Sequence, residues 1–207
     1  MINKLIEAHP SLVERETQIV TARDAMIKCF EAGGKLLLCG NGGSCADCDH
    51  ISGELLKGFM SLRPLSEDKK AKMRAQYPDV DDNALARLQY GLPAISLPSL
   101  TALNTAFSND VDPELIYAQG VLALAKDGDV LIGISTSGNS KSVVHACEIA
   151  RALGVTVIAL TGNDGGSLKS IADVCICAPE RETYKVQELH LPIYHALCAE
   201  IEAHFFS

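Results

Sequence analysis

Two stretches of this chain follow one plan, and the plan restricts the fold. Lys35-Leu36-Leu37-Leu38-Cys39 runs into Gly40-Asn41-Gly42-Gly43-Ser44, and Asp129-Val130-Leu131-Ile132-Gly133-Ile134 runs into Ser135-Thr136-Ser137-Gly138-Asn139-Ser140. Each is a short apolar strand, then a small polar turn, then a helix-forming segment. A turn that leads from a strand end into a helix gathers free N–H groups at the positive end of the helix dipole, which is an anion site. The second turn adds the hydroxyls of Ser135, Thr136, Ser137 and Ser140. Together these features suit a phosphate monoester on a small molecule.

The same alternation continues along the chain. Besides 35–39, apolar strands are predicted at 94–97, 129–134, 155–160 and 174–177. Helices are predicted at 11–32, 44–57 (capped by Ser44), 113–126, 140–153, 167–171 and 183–206, the last interrupted by Pro192. Alternating strands and helices at this spacing predict an α/β fold: one domain over residues 1–207, a three-layer αβα sandwich around a mainly parallel five-stranded sheet. Residues 61–90 break the pattern. They are charged, with few large apolar residues, and read as a surface insertion with one or two short helices. Ligands of such sheets bind at the carboxyl ends of the strands, so both turns can reach one crevice.

Several function classes are excluded. The net charge of −8 argues against a broad nucleic-acid surface. No apolar run approaches the roughly 20 residues of a membrane helix. The N-terminus carries no secretory pattern, so the cytoplasm and reduced thiols are expected for all eight cysteines. Cys45 and Cys48 form an isolated C-x-x-C, read as inert thiols. Cys175 and Cys177 alternate in a strand as small apolar residues. Neither turn holds Gly-Lys-Ser/Thr, which excludes a P-loop. Cys45 stands where a dinucleotide fingerprint needs its third glycine, and the next strand ends in Ile95-Ser96-Leu97-Pro98-Ser99 without an acid for a ribose.

Both turns, together with Leu160-Thr161-Gly162-Asn163-Asp164-Gly165-Gly166 and Gln187-Glu188-Leu189-His190, resemble the sugar isomerase (SIS) fold. More narrowly, with His50, Glu54, Gln187 and His195, they resemble the phosphoheptose isomerases. The resemblance implies an aldose–ketose isomerase acting on sedoheptulose 7-phosphate. It implies substrate contacts from Asn41, Gly42, Gly43, Ser44, Glu54, Ser135, Thr136, Ser137, Ser140 and Gln187, with Glu54 and His195 as the acid–base pair. It also implies a zinc ion on His50, Glu54, Gln187 and His195, and a homotetramer with active sites near subunit boundaries. The sequence departs from the family pattern at Leu100 and Tyr184, where acids are usual, and at Gly58, where some relatives have arginine. These departures touch the substrate's hydroxyl contacts.

The residues support that chemistry by their spacing. An aldose–ketose isomerase moves a proton between adjacent carbons through an enediol and needs a carboxylate-type base with a second titratable group. His50 and Glu54 are four apart and share a helix face. Gln187 and His195 are eight apart, roughly 80° around a helix. Two imidazoles, a carboxylate and an amide oxygen form a reasonable zinc donor set. His145, His190 and His204 read as structural, with His190 the rival to His195. The competing reading is a non-catalytic SIS-domain binding module. Such a module would be either a tetrameric partner of a bacterial replication initiator or a phosphosugar-sensing regulator.

Overall fold

The computed structural model describes residues 1–206. Five strands form one sheet: β1 (Leu36–Gly40), β2 (Ala94–Ser96), β3 (Val130–Ser135), β4 (Thr156–Gly162) and β5 (Val174–Ala178). Their order is β2-β1-β3-β4-β5 and every neighbouring pair is parallel. All five residues of β1 and all six of β3 are buried, as strands covered on both faces must be.

Successive side chains on each strand feed opposite cores. Leu36, Leu38, Ile132, Ile134, Ile158 and Ile176 pack with α2 (Glu16–Glu31), α3 (Gly43–Leu56) and the long α10 (Thr183–Phe206). Leu37, Leu131, Val157 and Ala159 pack with α7 (Ile116–Leu124), α8 (Lys141–Ala152) and α9 (Leu168–Ile171). The three layers and the parallel sheet are those the sequence predicts.

Local boundaries differ in informative ways. The segment 11–32 is not one helix: a 3-10 turn covers Pro10–Arg15 and α2 begins at Glu16. The helix expected at 113–126 is likewise a 3-10 turn (Pro113–Leu115) followed by the shorter α7. Two helices fall where none was predicted, α1 (Ile2–Ala8) and α6 (Thr101–Asp110). Helix α6 buries none of its residues, so the short apolar pattern of Ala102, Leu103, Ala106 and Phe107 does not face a core. Helix α10 runs unbroken through Pro192. Packing against α2 and α3 sustains it where one backbone donor is lost. Ser44 does not cap α3: Gly42, at φ 58°, takes the cap position and Ser44 is buried in the first turn.

Residues 61–90 form α4 (Glu67–Gln76) and α5 (Asp82–Arg87), and α4 buries nothing. The start of this segment is nevertheless fixed. Glu202 of α10, 1 % exposed, accepts from the N–H groups of Phe59, Met60 and Ser61 at 2.7, 2.6 and 3.1 Å and from Arg63 Nε at 2.8 Å. The buried Arg63 guanidinium donates onward to the carbonyls of Leu55 and Glu54 at 2.7 and 3.3 Å, satisfying the last turn of α3.

Candidate active site

The strand order changes direction between β1 and β3, and the two polar turns leave the sheet at that switch point. Gly40 is paired with Ile134, so the turns emerge side by side. Asn41 joins them. Its Nδ2 donates to Ser142 Oγ on α8 at 2.9 Å, and its Oδ1 shares the Tyr117 hydroxyl proton with Gly40 O, at 3.0 and 2.8 Å. Neither Tyr117 nor Ser142 stood out in the sequence, because a tyrosine on an apolar helix reads as core.

The first turn spends part of its donor capacity on itself. Ser44 N–H bonds Asn41 O and Cys45 N–H bonds Gly42 O, each at 3.1 Å. Gly43 admits the Gln187 side chain: a Cβ there would lie 2.5 Å from Gln187 Nε2. The second turn is more open. Ser135 Oγ donates to Ser140 Oγ at 3.1 Å, Thr136 is half-buried and Ser137 exposed. Gly138, at φ 66°, lets the chain fold under the loop after β4; a Cβ there would sit 2.0 Å from Gly165 O. Asn139 Oδ1 accepts from Ser167 N–H and Oγ–H at 2.9 and 2.8 Å, which ties the two loops together. Thr136, Ser137 and Asn139 border a cavity of ≈ 290 Å³ with Asn163, Glu180 and Arg181. Arg181 supplies a cation beside the hydroxyl turn. The sequence reading passed over it, although it closely follows the carboxyl end of β5.

Helices α3 and α10 run side by side away from the turns. Gln187 meets Gly43 at their shared start, and farther along His50 meets both Tyr194 and His195. His50 Nε2 is 3.2 Å from Glu54 Oε1 and 3.4 Å from His195 Nε2. Thus Glu54 and His195 reach each other through His50. The hydroxyl proton of Tyr194 goes to Asp47 Oδ1 at 3.2 Å, so the Tyr194 oxygen accepts from His50 Nδ1–H at 3.0 Å. The network therefore turns Nε2 toward Glu54 and calls for positive charge between them, either a proton or a cation. Glu54 Oε2 is buried without a hydrogen-bond partner. Burial, then the adjacent His50, holds His195 below the ordinary imidazole range, with Glu54 opposing. Burial likewise raises the Asp47 carboxyl.

Donor type and spacing suit a divalent cation. Contacts of 3.2 and 3.4 Å are close to the ligand separations of a tetrahedral ion with bonds of ~2.1 Å. Only pairs are formed, however: among the described residues, no three His, Cys, Asp or Glu side chains converge as a finished metal centre. Gln187 makes no hydrogen bond to His50, Glu54 or His195; its amide lies against Gly43. The turns and the imidazole cluster are also well separated. Ser44 and Glu54 are ten residues apart on one helix, ~15 Å along its axis.

Two SIS-domain family models match the chain, over residues 3–90 and 102–200. A phosphoheptose isomerase of Trichlorobacter lovleyi is 39% identical over 210 residues, covering 99% of this chain and 94% of that one. The chain belongs to the phosphoheptose isomerase family. Solved phosphoheptose isomerases of Neisseria gonorrhoeae and Francisella tularensis superpose with TM-scores of 0.74 at 33% and 31% identity. Each comparison covers 98% of this chain, and 91% and 92% of the solved ones. The SIS-domain fold predicted from the turns is therefore the fold of this family.

His190 is removed as a rival to His195. It is fully buried, and its Nε2 faces Thr161 O at 3.1 Å. Burial lowers its pKa to about 4 from 6.5. The unfolded chain takes up this proton near pH 6.5 and the folded chain only near 4. Stability from this residue is therefore complete above pH 6.5 and is lost as the pH falls toward 4. Between pH 8 and pH 5 the loss is about 2 kcal/mol. His190→Gln keeps a donor for Thr161 O without a titrating ring, and in urea unfolding it should lack that share of the acid loss. An unchanged pH profile would contradict this assignment.

Proposed function

We propose that the protein is a cytoplasmic ketose–aldose isomerase that interconverts sedoheptulose 7-phosphate and D-glycero-D-manno-heptose 7-phosphate. The observation that carries this reading is the contact of His195 on α10 with His50 and, through it, Glu54 on the helix that starts at the first polar turn. Phosphoheptose isomerases at 39% identity support it. A purely binding module would not need a carboxylate and two imidazoles in contact, so the adaptor or sensor reading is not favoured.

The hydroxyls of Ser135, Thr136, Ser137 and Ser140, the Asn41 clasp and Arg181 bind and orient the ester. Glu54 takes a proton from C1 of the open-chain ketose. The electron pair forms the C1–C2 double bond while His195 protonates the C2 oxygen. The resulting enediol then loses its O1 proton and regains a proton at C2, giving the aldose. The Glu54 carboxylate, with Oε2 3.8 Å from Lys57 Nζ, suits the base, and His195, held below the ordinary imidazole range chiefly by burial, suits the proton exchange at oxygen. A zinc ion held by His50, Glu54 and His195 would polarise substrate oxygens and favour enediolate charge, and Glu54 and His195 would serve as base and acid only when not bound to it.

We read the working site as lying near the subunit boundaries of a tetramer, as the resemblance to the phosphoheptose isomerases implies. Light scattering should give four times the 22.1 kDa chain mass; a monomer would contradict the assembly.

Two further measurements bear on the chemistry. Glu54→Gln and His195→Ala should each lower turnover of sedoheptulose 7-phosphate by at least ~100-fold while binding persists. A near-normal rate in either variant removes the role assigned to that residue. Zinc added to metal-free protein should raise its unfolding midpoint, and His50→Ala should abolish the rise. Equal midpoints with and without zinc would reject the metal.

A further inference from the structure

Behind the second turn lies a pair of thiols that the proposed chemistry does not use. Cys175 and Cys177 alternate on β5, so both side chains leave the same face of the strand. Their sulfurs are 3.5 Å apart. Thr161, paired with Cys177 across the sheet, sets its hydroxyl 3.4 Å from Cys177 Sγ and 3.7 Å from Cys175 Sγ. Gly165 covers the pair: a Cβ on it would lie 3.1 Å from Cys177 Sγ and 3.3 Å from Cys175 Sγ. The carbonyl of the same glycine is packed beneath Gly138 of the hydroxyl turn. One residue thus separates the two sulfurs from the turn.

We propose that Cys175 and Cys177 are a redox-active dithiol, closed to a disulfide by a hydroperoxide, and that closure loosens the Ser135–Ser140 turn through Gly165. The pair differs from the remaining six thiols, all of which are pushed upward, chiefly by burial. In the pair, the Cys175 S–H bond to Cys177 is the largest influence. With Thr161, Lys169 and Arg15 it outweighs burial and pulls Cys177 down to about 6, while Cys175 is pushed up. Cys177 is thereby the readier of the two to ionise, with Cys175 placed 3.5 Å away as the resolving thiol.

The chemistry balances. The Cys177 thiolate attacks one peroxide oxygen; the S–O bond forms, the O–O bond breaks, and the departing oxygen takes a proton from water as an alcohol or a second water. The Cys175 sulfur then attacks the sulfenic sulfur. The S–S bond forms, the S–O bond breaks, and hydroxide leaves with the Cys175 proton as water. Two electrons pass from the sulfur pair to the peroxide.

Closure has a structural consequence. Residues two apart on a strand have Cα and Cβ atoms ~6.6 Å apart; the Cα separation is within the range of about 4.4–6.8 Å for disulfides, but the Cβ atoms must close to about 3.5–4.5 Å. Bridging therefore draws β5 in at this point. As the sheet's edge strand, paired with β4 alone, β5 can yield there. The sulfurs then move relative to Gly165, which packs over both of them.

The test uses the full chain and hydrogen peroxide, and it does not depend on which sugar is bound. The tryptic peptide 170–181 contains Cys175 and Cys177 and no other cysteine. After peroxide it should be two hydrogens lighter, and a thiol reductant should reverse the change. Cys175→Ser and Cys177→Ser should not show it. Amide exchange of residues 135–140 should speed up about tenfold in the oxidised wild type and stay unchanged in both variants. Retention of both thiols, or oxidation to sulfinic acid without a bridge, would overturn the dithiol. A bridge that leaves exchange at 135–140 unaltered would overturn the link to the turn.

Discussion

Parallel pairing of β1 with β3 is the constraint on which the rest of the molecule depends. It sets Gly40 beside Ile134 and so delivers two turns, distant in sequence, to one rim of the sheet. Helices α3 and α8 then start next to each other, and Asn41 spans the gap to Ser142 with Tyr117 behind it. Backbone pairing fixes the separation of the turns; one amide side chain fixes their relative orientation. Buried strand residues on both faces leave the sheet little freedom to slip, since a shift of one residue would exchange its two cores.

The second half of the site depends on α3 as a ruler. Its first turn carries Gly43 and Ser44, and its last turns carry His50 and Glu54. Helix α10 lies along it, with Gln187 at one end and Tyr194 and His195 farther on. The far end of α3 is held by the buried Arg63–Glu202 pair, which takes up the carbonyls of Glu54 and Leu55. The solvated segment after residue 61 thus begins with an anchor that holds the backbone of Glu54. Tyr194 and Asp47 do the comparable work for His50, by fixing which ring nitrogen faces Glu54.

Much of this was legible because the signals were local. Continuous apolar runs gave β1, β3, β4 and β5, and polar turns gave the phosphate region. The i,i+4 spacing put His50 and Glu54 on one face, and the structure sets them 3.2 Å apart. What was missed depended on tertiary contacts. Helix α6 buries none of its residues, so its short apolar pattern does not mark a core face. Ser44 has the residue type of a cap, but Gly42 at positive φ makes the turn, a backbone conformation with no signal in the residue pattern. Pro192 looked like a break until packing against α2 and α3 was visible. Arg181 gave no motif, because its value comes from the wall it shares with Thr136 and Ser137. Gln187, grouped with the other zinc donors by resemblance, lies against Gly43 at the turn end of α10, two helical turns from His195.

The account stands on a single ligand bridging a phosphate turn and the Glu54–His195 pair. A crystal structure of the protein with sedoheptulose 7-phosphate measures this directly. It should place the phosphorus among Ser135, Thr136, Ser137 and Ser140, with C1 and C2 beside a Glu54–His195 pair of the assembly. Phosphate bound away from the hydroxyl turn, or reacting carbons out of reach of Glu54 and His195 from every copy in the assembly, would contradict it.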